Sequence, residues 1–241
     1  MLTFVCWKWQ DRNGWRKPYT ATHVNVLAQM LREHLTIPHR LICITDDPSG
    51  IRGETYPIWD VEVKVGQRAP NCFRRLRLFS PWAEELGHRL VSIDLDCVIR
   101  RNIDHLFAGL EDFRICEGRA APYNGSMWMI RAGSHPEVWR DFCPETALQE
   151  IAQTRRENGR PYYGSDQAWM SYKLPGAPTW GMTDGVYQYS LLGPRRRTQA
   201  LDHSLASIVF FAGGIKPWDD ACRMQAPRLH SEYMRYVRKA G

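Results

Sequence analysis

Arg89-Leu90-Val91-Ser92-Ile93-Asp94-Leu95-Asp96-Cys97-Val98-Ile99 is an apolar, β-branched run interrupted by two aspartates one residue apart. Side chains alternate across a strand, so the spacing predicts Asp94 and Asp96 on one side and Leu95 turned into the core. Carboxylates converging on a buried strand cost stability unless something compensates. The usual compensation is a divalent cation that itself carries phosphate oxygens. The stretch is therefore a candidate nucleotide site at the carboxyl end of a central strand. Asp-x-Asp alone is a weak signal, because two solvated aspartates at a strand end read the same way, and the surrounding sequence has to decide.

Working outward, strand and helix patterns alternate. Residues 2–7 are a continuous apolar run, and Thr20 or Thr22 can cap a helix whose Val24, Leu27, Met30, Leu31 and Leu35 recur at helical spacing before Pro38 ends it. Residues 40–45 form a second strand closed by the turn at 46–50, and residues 56–59 a short third. A helical stretch is expected from about Phe73, and another over 80–87 with Pro81 at its start and Gly87 at its stop. This order predicts an α/β fold with a mostly parallel sheet and helices on both faces. Trp7, Thr45-Asp46 and Asp94-x-Asp96 fall at strand carboxyl ends, where such sheets bind ligands. Trp7 can stack on a nucleobase, with Lys8 toward phosphate, although aromatics in strands more often belong to the core. The second half is less regular, with strands expected at 127–130 and 207–211 and a short helix at 165–173.

Composition sets the bounds. The 241 residues are 44% hydrophobic and 24% charged, which suits one domain over 1–241. The sequence leads to the expectation of no amino-terminal export signal, it holds no membrane-length apolar run, and its seven scattered cysteines form no Cys-x-x-Cys pair. The expectation is a soluble, cytoplasmic protein with reduced cysteines, peripheral attachment at the inner membrane surface being left open. The formal charge of +6 suits nucleic acid or a nucleotide diphosphate equally, and Arg195-Arg196-Arg197 reads as an exposed loop. P-loop, Gly-x-Ser-x-Gly and Gly-x-Gly-x-x-Gly motifs are absent, which removes P-loop kinases, serine hydrolases and dinucleotide dehydrogenases.

Several motifs follow one another in order: Arg74-Arg75-Leu76-Arg77-Leu78-Phe79, the Ile93-Asp94-Leu95-Asp96-Cys97-Val98 strand, Ile103-Asp104-x-Leu106-Phe107, Tyr123-Asn124-Gly125-Ser126-Met127, Gly164-Ser165-Asp166-Gln167 and Gly213-Gly214-Ile215-Lys216-Pro217-Trp218. Together they resemble a nucleotide-sugar glycosyltransferase of the GT-A type, similar to the retaining enzymes of glycosyltransferase family 8 and their small bacterial and phage relatives. The resemblance implies a single-domain, Rossmann-like GT-A fold, with a nucleotide-binding half over about 1–110 and an acceptor and sugar half over about 111–241, and Asp94 and Asp96 as ligands of Mn2+ or Mg2+. It places Arg75 near donor phosphate or sugar, and Asn124, Gly125 and Ser126 under the sugar. Asp166 and Gln167 would face the transferred hexose as the catalytic pair. Lys216, on the loop opened by Gly213, would reach the diphosphate, and Asp46 joins Trp7 and Lys8 on the donor side.

One departure stands out. The family usually carries a histidine ahead of the Gly-x-x-Lys-Pro motif as a third metal ligand, and here the two positions concerned hold Phe210 and Ala212. Phosphate and water oxygens could complete the coordination, with Asp219, Asp220 and His230 as nearby protein candidates. The expected activity is metal-dependent transfer of a hexose, from a donor expected to be UDP-linked, to a carbohydrate, lipid-linked or protein acceptor, with no nucleic-acid partner. The alternatives are a non-catalytic nucleotide-sugar-binding protein and, further behind, a nucleic-acid-processing metal enzyme.

Overall fold

The computed structural model describes residues 1–10, 19–59, 71–118, 122–157, 165–189, 205–211 and 213–240. Gly164, Ala212 and the arginine run at 195–197, all singled out above, lie outside them. In chain order the elements are β1 (Leu2–Lys8), α1 (Ala21–His34), β2 (His39–Thr45), β3 (Glu54–Pro57), 3-10 segments Asn71–Phe79 and Pro81–Leu86, β4 (Arg89–Ile93), β5 (Cys97–Ile99) and a 3-10 turn Asp104–Phe107. There follow β6 (Phe113–Glu117), β7 (Tyr123–Arg131), α2 (Glu137–Arg140), α3 (Pro144–Glu157), α4 (Asp166–Lys173), β8 (Thr179–Trp180), a 3-10 turn Met182–Asp184, β9 (Val186–Gln188), β10 (Ile208–Phe210), α5 (Asp220–Gln225) and α6 (Pro227–Ala240).

The architecture is α/β. Seven strands form one mostly parallel sheet in the order β3-β2-β1-β4-β7-β6-β8, and β5-β10-β9 form a second, smaller one. Every residue of β1 is buried, as expected of an apolar run in the interior of a sheet covered on both faces. The strand expected over 89–99 is broken. β4 ends at Ile93, Leu95 and Asp96 lie in a bend, and β5 pairs antiparallel with β10, Cys97 opposite Phe210 and Ile99 opposite Ile208. Asp94 and Asp96 therefore flank a bend rather than alternate along a strand. Aspartate is a poor strand residue, and two carboxylates so close favour leaving the ladder.

The chain packs as two compact units. The first comprises Met1–Phe4, Trp59–Ser92 and Leu110–Trp180, and the second Val5–Ile58, Ile93–Gly109 and Gly181–Gly241. In the first unit Trp128 of β7 stacks on Phe79, ring centres 5.1 Å apart, and Trp169 anchors α4 by donating from Nε1 to Val138 O at 2.9 Å. The β6–β7 register jumps between Ile115 and Cys116, from Trp128 to Asn124, so Gly125, Ser126 and Met127 face no residue of β6. Such a bulge re-aims the strand that carries it. In the second unit α1 starts at Thr20, whose amide donates to Nδ1 of His23 at 2.8 Å, the histidine standing where a capping box usually has Glu or Gln. Its apolar stripe, Val24, Leu27, Met30 and Leu31, is buried. α6 packs on α1, with Tyr236 OH donating to Glu33 at 2.9 Å and Lys239 to the same carboxylate at 2.6 Å.

Candidate functional site

In the first unit four separated pieces of sequence meet. Arg75, from the Asn71–Phe79 segment, donates from Nε to Asp166 Oδ2 at 2.6 Å and from Nη1 to the Gly125 carbonyl at 2.9 Å. Gln167 Oε1 accepts the Gly125 amide at 3.1 Å, so both backbone groups of this bulge residue are held by side chains. A Cβ on Gly125 would lie 2.6 Å from Arg75 Nη2, 3.5 Å from the Gln167 side chain and 3.6 Å from Asp166 Oδ1. Only glycine lets the strand approach this closely. Asn124 Oδ1 takes the Ser126 amide at 3.0 Å and fixes the bulge locally.

Asp166 opens α4 behind its cap Ser165 and is 1% exposed. Burial pushes its carboxyl above the usual range, and the Arg75 guanidinium and the amides at the start of α4 oppose that. The outcome is a buried carboxylate paired with a buried arginine, a combination with high desolvation cost that structural packing alone does not require. Of the residues that the resemblance singled out here, Arg75, Gly125, Asp166 and Gln167 are in mutual contact, and Asn124 and Ser126 flank Gly125 along β7.

In the second unit Asp96 is buried and Asp94 half-buried. Lys216 donates from Nζ to Asp96 Oδ2 and to Phe211 O, the latter at 3.1 Å. Burial, and after it the charges of Asp96 and Asp94, raise the Cys97 thiol pKa. Phe210, at one position where the family has its histidine, is fully buried in β10. Of the nearby protein candidates, His230 Nδ1 lies 2.9 Å from Pro217 O, Asp219 Oδ2 accepts the Lys216 amide at 2.9 Å, and the exposed Asp220 pairs with Arg223 at 3.1 Å. Among the described residues no three His, Cys, Asp or Glu side chains gather as a metal cage. The donors present are nonetheless all oxygen, and the ammonium lodged on Asp96 shows that positive charge is accommodated there. Asp94 and Asp96 thus fit a hard cation whose remaining ligands come from a phosphate and water.

The other donor-side candidates share this unit. Trp7 is 4% exposed and belongs to the core, while Trp9 beside it is half-buried. Lys8 is buried and spent on the loop after β2, donating to Asp47 O at 2.6 Å, with Thr45 Oγ1 at 3.5 Å. Asp46 is exposed and accepts the Gln10 amide at 3.0 Å. Gly213 has φ +103° with open space around its Cα, as a loop that turns sharply needs.

Sequence reasoning missed two residues of this unit. His23 lies against Trp218, ring centres 3.9 Å apart, and burial pushes its pKa down to about 4 against the pull of Asp96 and Asp219. Tyr233 of α6 is fully buried, its hydroxyl has no hydrogen-bond partner among the described residues, and its pKa is raised by burial, then Cys97 and Asp96. Nothing local in the sequence marks His23. Tyr233 could have been found from the spacing of Leu229, Tyr233, Tyr236 and Ala240, which is helical.

No protein-family model and no curated protein matches the chain. Solved structures do. The galactosyltransferase LgtC, in complex with donor and acceptor sugar analogues, aligns over 98% of this chain and 95% of its own with a TM-score of 0.59 at 13% identity. The fold is that of the GT-A glycosyltransferases. GlyE, a glycosyltransferase of Streptococcus pneumoniae TIGR4, aligns with a TM-score of 0.64 at 12% identity over 98% of this chain and 61% of its own. The bifunctional glycosyltransferase WbbM gives 0.60 at 9% identity over 98% and 49%. An LgtC variant with an active-site glutamine changed to glutamate aligns as well as LgtC itself, at a TM-score of 0.60. No helix among the described residues is long and apolar enough to cross a membrane.

Proposed function

We propose that this GT-A protein is a glycosyltransferase that moves a hexose from a nucleotide diphosphate sugar, UDP-linked in our reading, to an acceptor, with retention at the anomeric carbon. The observation that carries the proposal is the buried Asp166–Arg75 pair beneath Gly125, with Gln167 beside it, in a fold shared with LgtC, GlyE and WbbM. Asp166 presents its carboxylate to the hydroxyls of the transferred sugar, and its charge favours the oxocarbenium-like transition state. Arg75 keeps that carboxylate ionised and in one orientation. Gln167, whose oxygen is tied to Gly125, offers its amide N–H2 to the sugar; the neighbour crystallised with a substituted active-site glutamine is a precedent for such a group. Asn124 and Ser126 add hydroxyl contacts.

Asp94 and Asp96 hold a divalent cation, Mn2+ or Mg2+, which when bound neutralises the nucleotide leaving group. Lys216 and Gly213 serve the diphosphate, and the exposed Asp46 serves the nucleoside, while Trp7 and Lys8 stay in the framework beneath it. The acceptor is a carbohydrate, a lipid-linked sugar or a protein. Release of UDP from a panel of UDP-hexoses in the presence of Mn2+ tests the reading: one donor should be turned over, and turnover should fall about a hundredfold or more in Asp166→Asn. A protein that binds nucleotide sugars and turns none over would instead be a non-catalytic member of this fold.

A further inference from the structure

The reading of Asp94 and Asp96 as a cation site has a consequence in the second unit, where the position on Asp96 is already taken. The Lys216 ammonium sits on Asp96 Oδ2 and on the Phe211 carbonyl, with side chains only 17% and 7% exposed for Lys216 and Asp96. An ammonium and a divalent cation cannot share one carboxylate oxygen at contact distance, because like charges that close repel strongly in a partly dry site. Lys216 and a metal are therefore competitors for Asp96.

The surrounding backbone says how the competition is resolved. The Phe211 amide donates to Asp96 O at 2.9 Å, the Lys216 amide to Asp219 Oδ2 at 2.9 Å, and Pro217 O lies 2.9 Å from His230 Nδ1. The loop is pinned on both sides of Lys216, so exchange has to occur by rotation of its flexible four-carbon stem. What draws the ammonium away must be an anion stronger than one carboxylate, and a nucleoside diphosphate supplies it.

We propose that Lys216 is the resident counter-cation of the donor-free protein. Its ammonium occupies the metal position on Asp96, and the metal enters when the donor diphosphate takes the ammonium. Phenylalanine at 210 makes this exchange effective, since that position offers the metal no neutral third ligand with which to displace the lysine. Metal and nucleotide are then coupled, and the coupling is reciprocal: each raises the affinity of the other by one and the same factor.

Calorimetric titration of Mn2+ into wild type and Lys216→Met, each with and without UDP, tests this. Removing the ammonium leaves Asp96 open, so Lys216→Met without UDP should bind Mn2+ roughly tenfold or more tighter than wild type, and UDP should add much less to that affinity. Lys216→Gln, which keeps a polar side chain without the charge, should change in the same direction, so a poorly folded methionine variant does not leave the question open. Asp96→Asn should lose Mn2+ binding in either background. Equal or weaker Mn2+ binding by both lysine variants would overturn the proposal. Tighter Mn2+ binding in a protein that turns over no nucleotide sugar would remove the proposed transferase activity and leave the exchange standing. Transfer without the affinity gain would do the reverse.

Discussion

Arg75 and Asp166 are 91 residues apart in sequence and form a buried ion pair at 2.6 Å. Such a pair is costly to break from one side, because the remaining charge stays buried without a partner. Arg75→Met should lower stability by about 3–5 kcal/mol, read as a shift in the urea midpoint. Gly125→Ala should cost about 2–3 kcal/mol, since its Cβ meets an Arg75 nitrogen that two hydrogen bonds prevent from yielding. Kinetics separate the charged residues. Asp166→Asn should lower kcat by about a hundredfold or more with KM for donor little changed, because the sugar carries positive charge only in the transition state. Lys216→Ala should mainly raise KM, because the diphosphate is charged in the ground state too. A larger effect of Asp166→Asn on KM than on kcat would remove it from the sugar. The residue types and order of Asp166, Gln167, Gly125 and Arg75 were legible in the sequence. Their mutual bonds were not, because a pairing across such a separation leaves no local pattern, and the same holds for His23 beside Trp218.

Elements were legible where periodicity was strong. α1 runs Ala21–His34 from cap Thr20, and β1 and β2 fall on the apolar runs that announced them. The bend between β4 and β5 was hidden because the apolar residues on both sides of the aspartates read as one run, and the antiparallel pairing of β5 with the distant β10 leaves no local pattern. β6, α3 and α6 went unread; α6 was obscured by its charge, although its buried positions recur at helical spacing. At this scale the first turn of α1 carries a pH dependence. His23 titrates at about 4 in the fold and at 6.5 in an ordinary setting, with burial the leading cause. A depressed histidine stabilises the fold fully above pH 6.5, and that contribution is lost as pH falls toward 4. Between those values wild type should lose about 2 kcal/mol beyond His23→Gln, which keeps the capping interaction and has no proton to take up. Equal losses in the two proteins would show that another group is responsible. The turn at 104–107 behaves differently. Burial raises the Asp104 carboxyl, but hydrogen bonds from Thr36 and Asn102 and the amides of Thr36 and Ile37 outweigh it and bring it to about 2. Its contribution is present above about pH 4 and fades toward pH 2, so Asp104→Asn should flatten the melting temperature against pH in that lower window alone.

For the whole molecule, the α/β class and GT-A type were readable from motif order, while sequence identity to the solved neighbours is only 9–13%. Fold persists at that distance because burial pattern and topology constrain it more than identity does, and chemistry persists only where particular side chains do. In the function proposed above, the buried Asp166–Gln167 pair serves hexose transfer from a nucleotide sugar. Its most direct measurement is UDP release from a panel of UDP-hexoses with Mn2+, in wild type and Asp166→Asn side by side. Release is expected from at least one donor, reduced about a hundredfold or more in the variant while donor affinity is retained. Release at the same rate in both proteins, or from no donor in the panel, would contradict it.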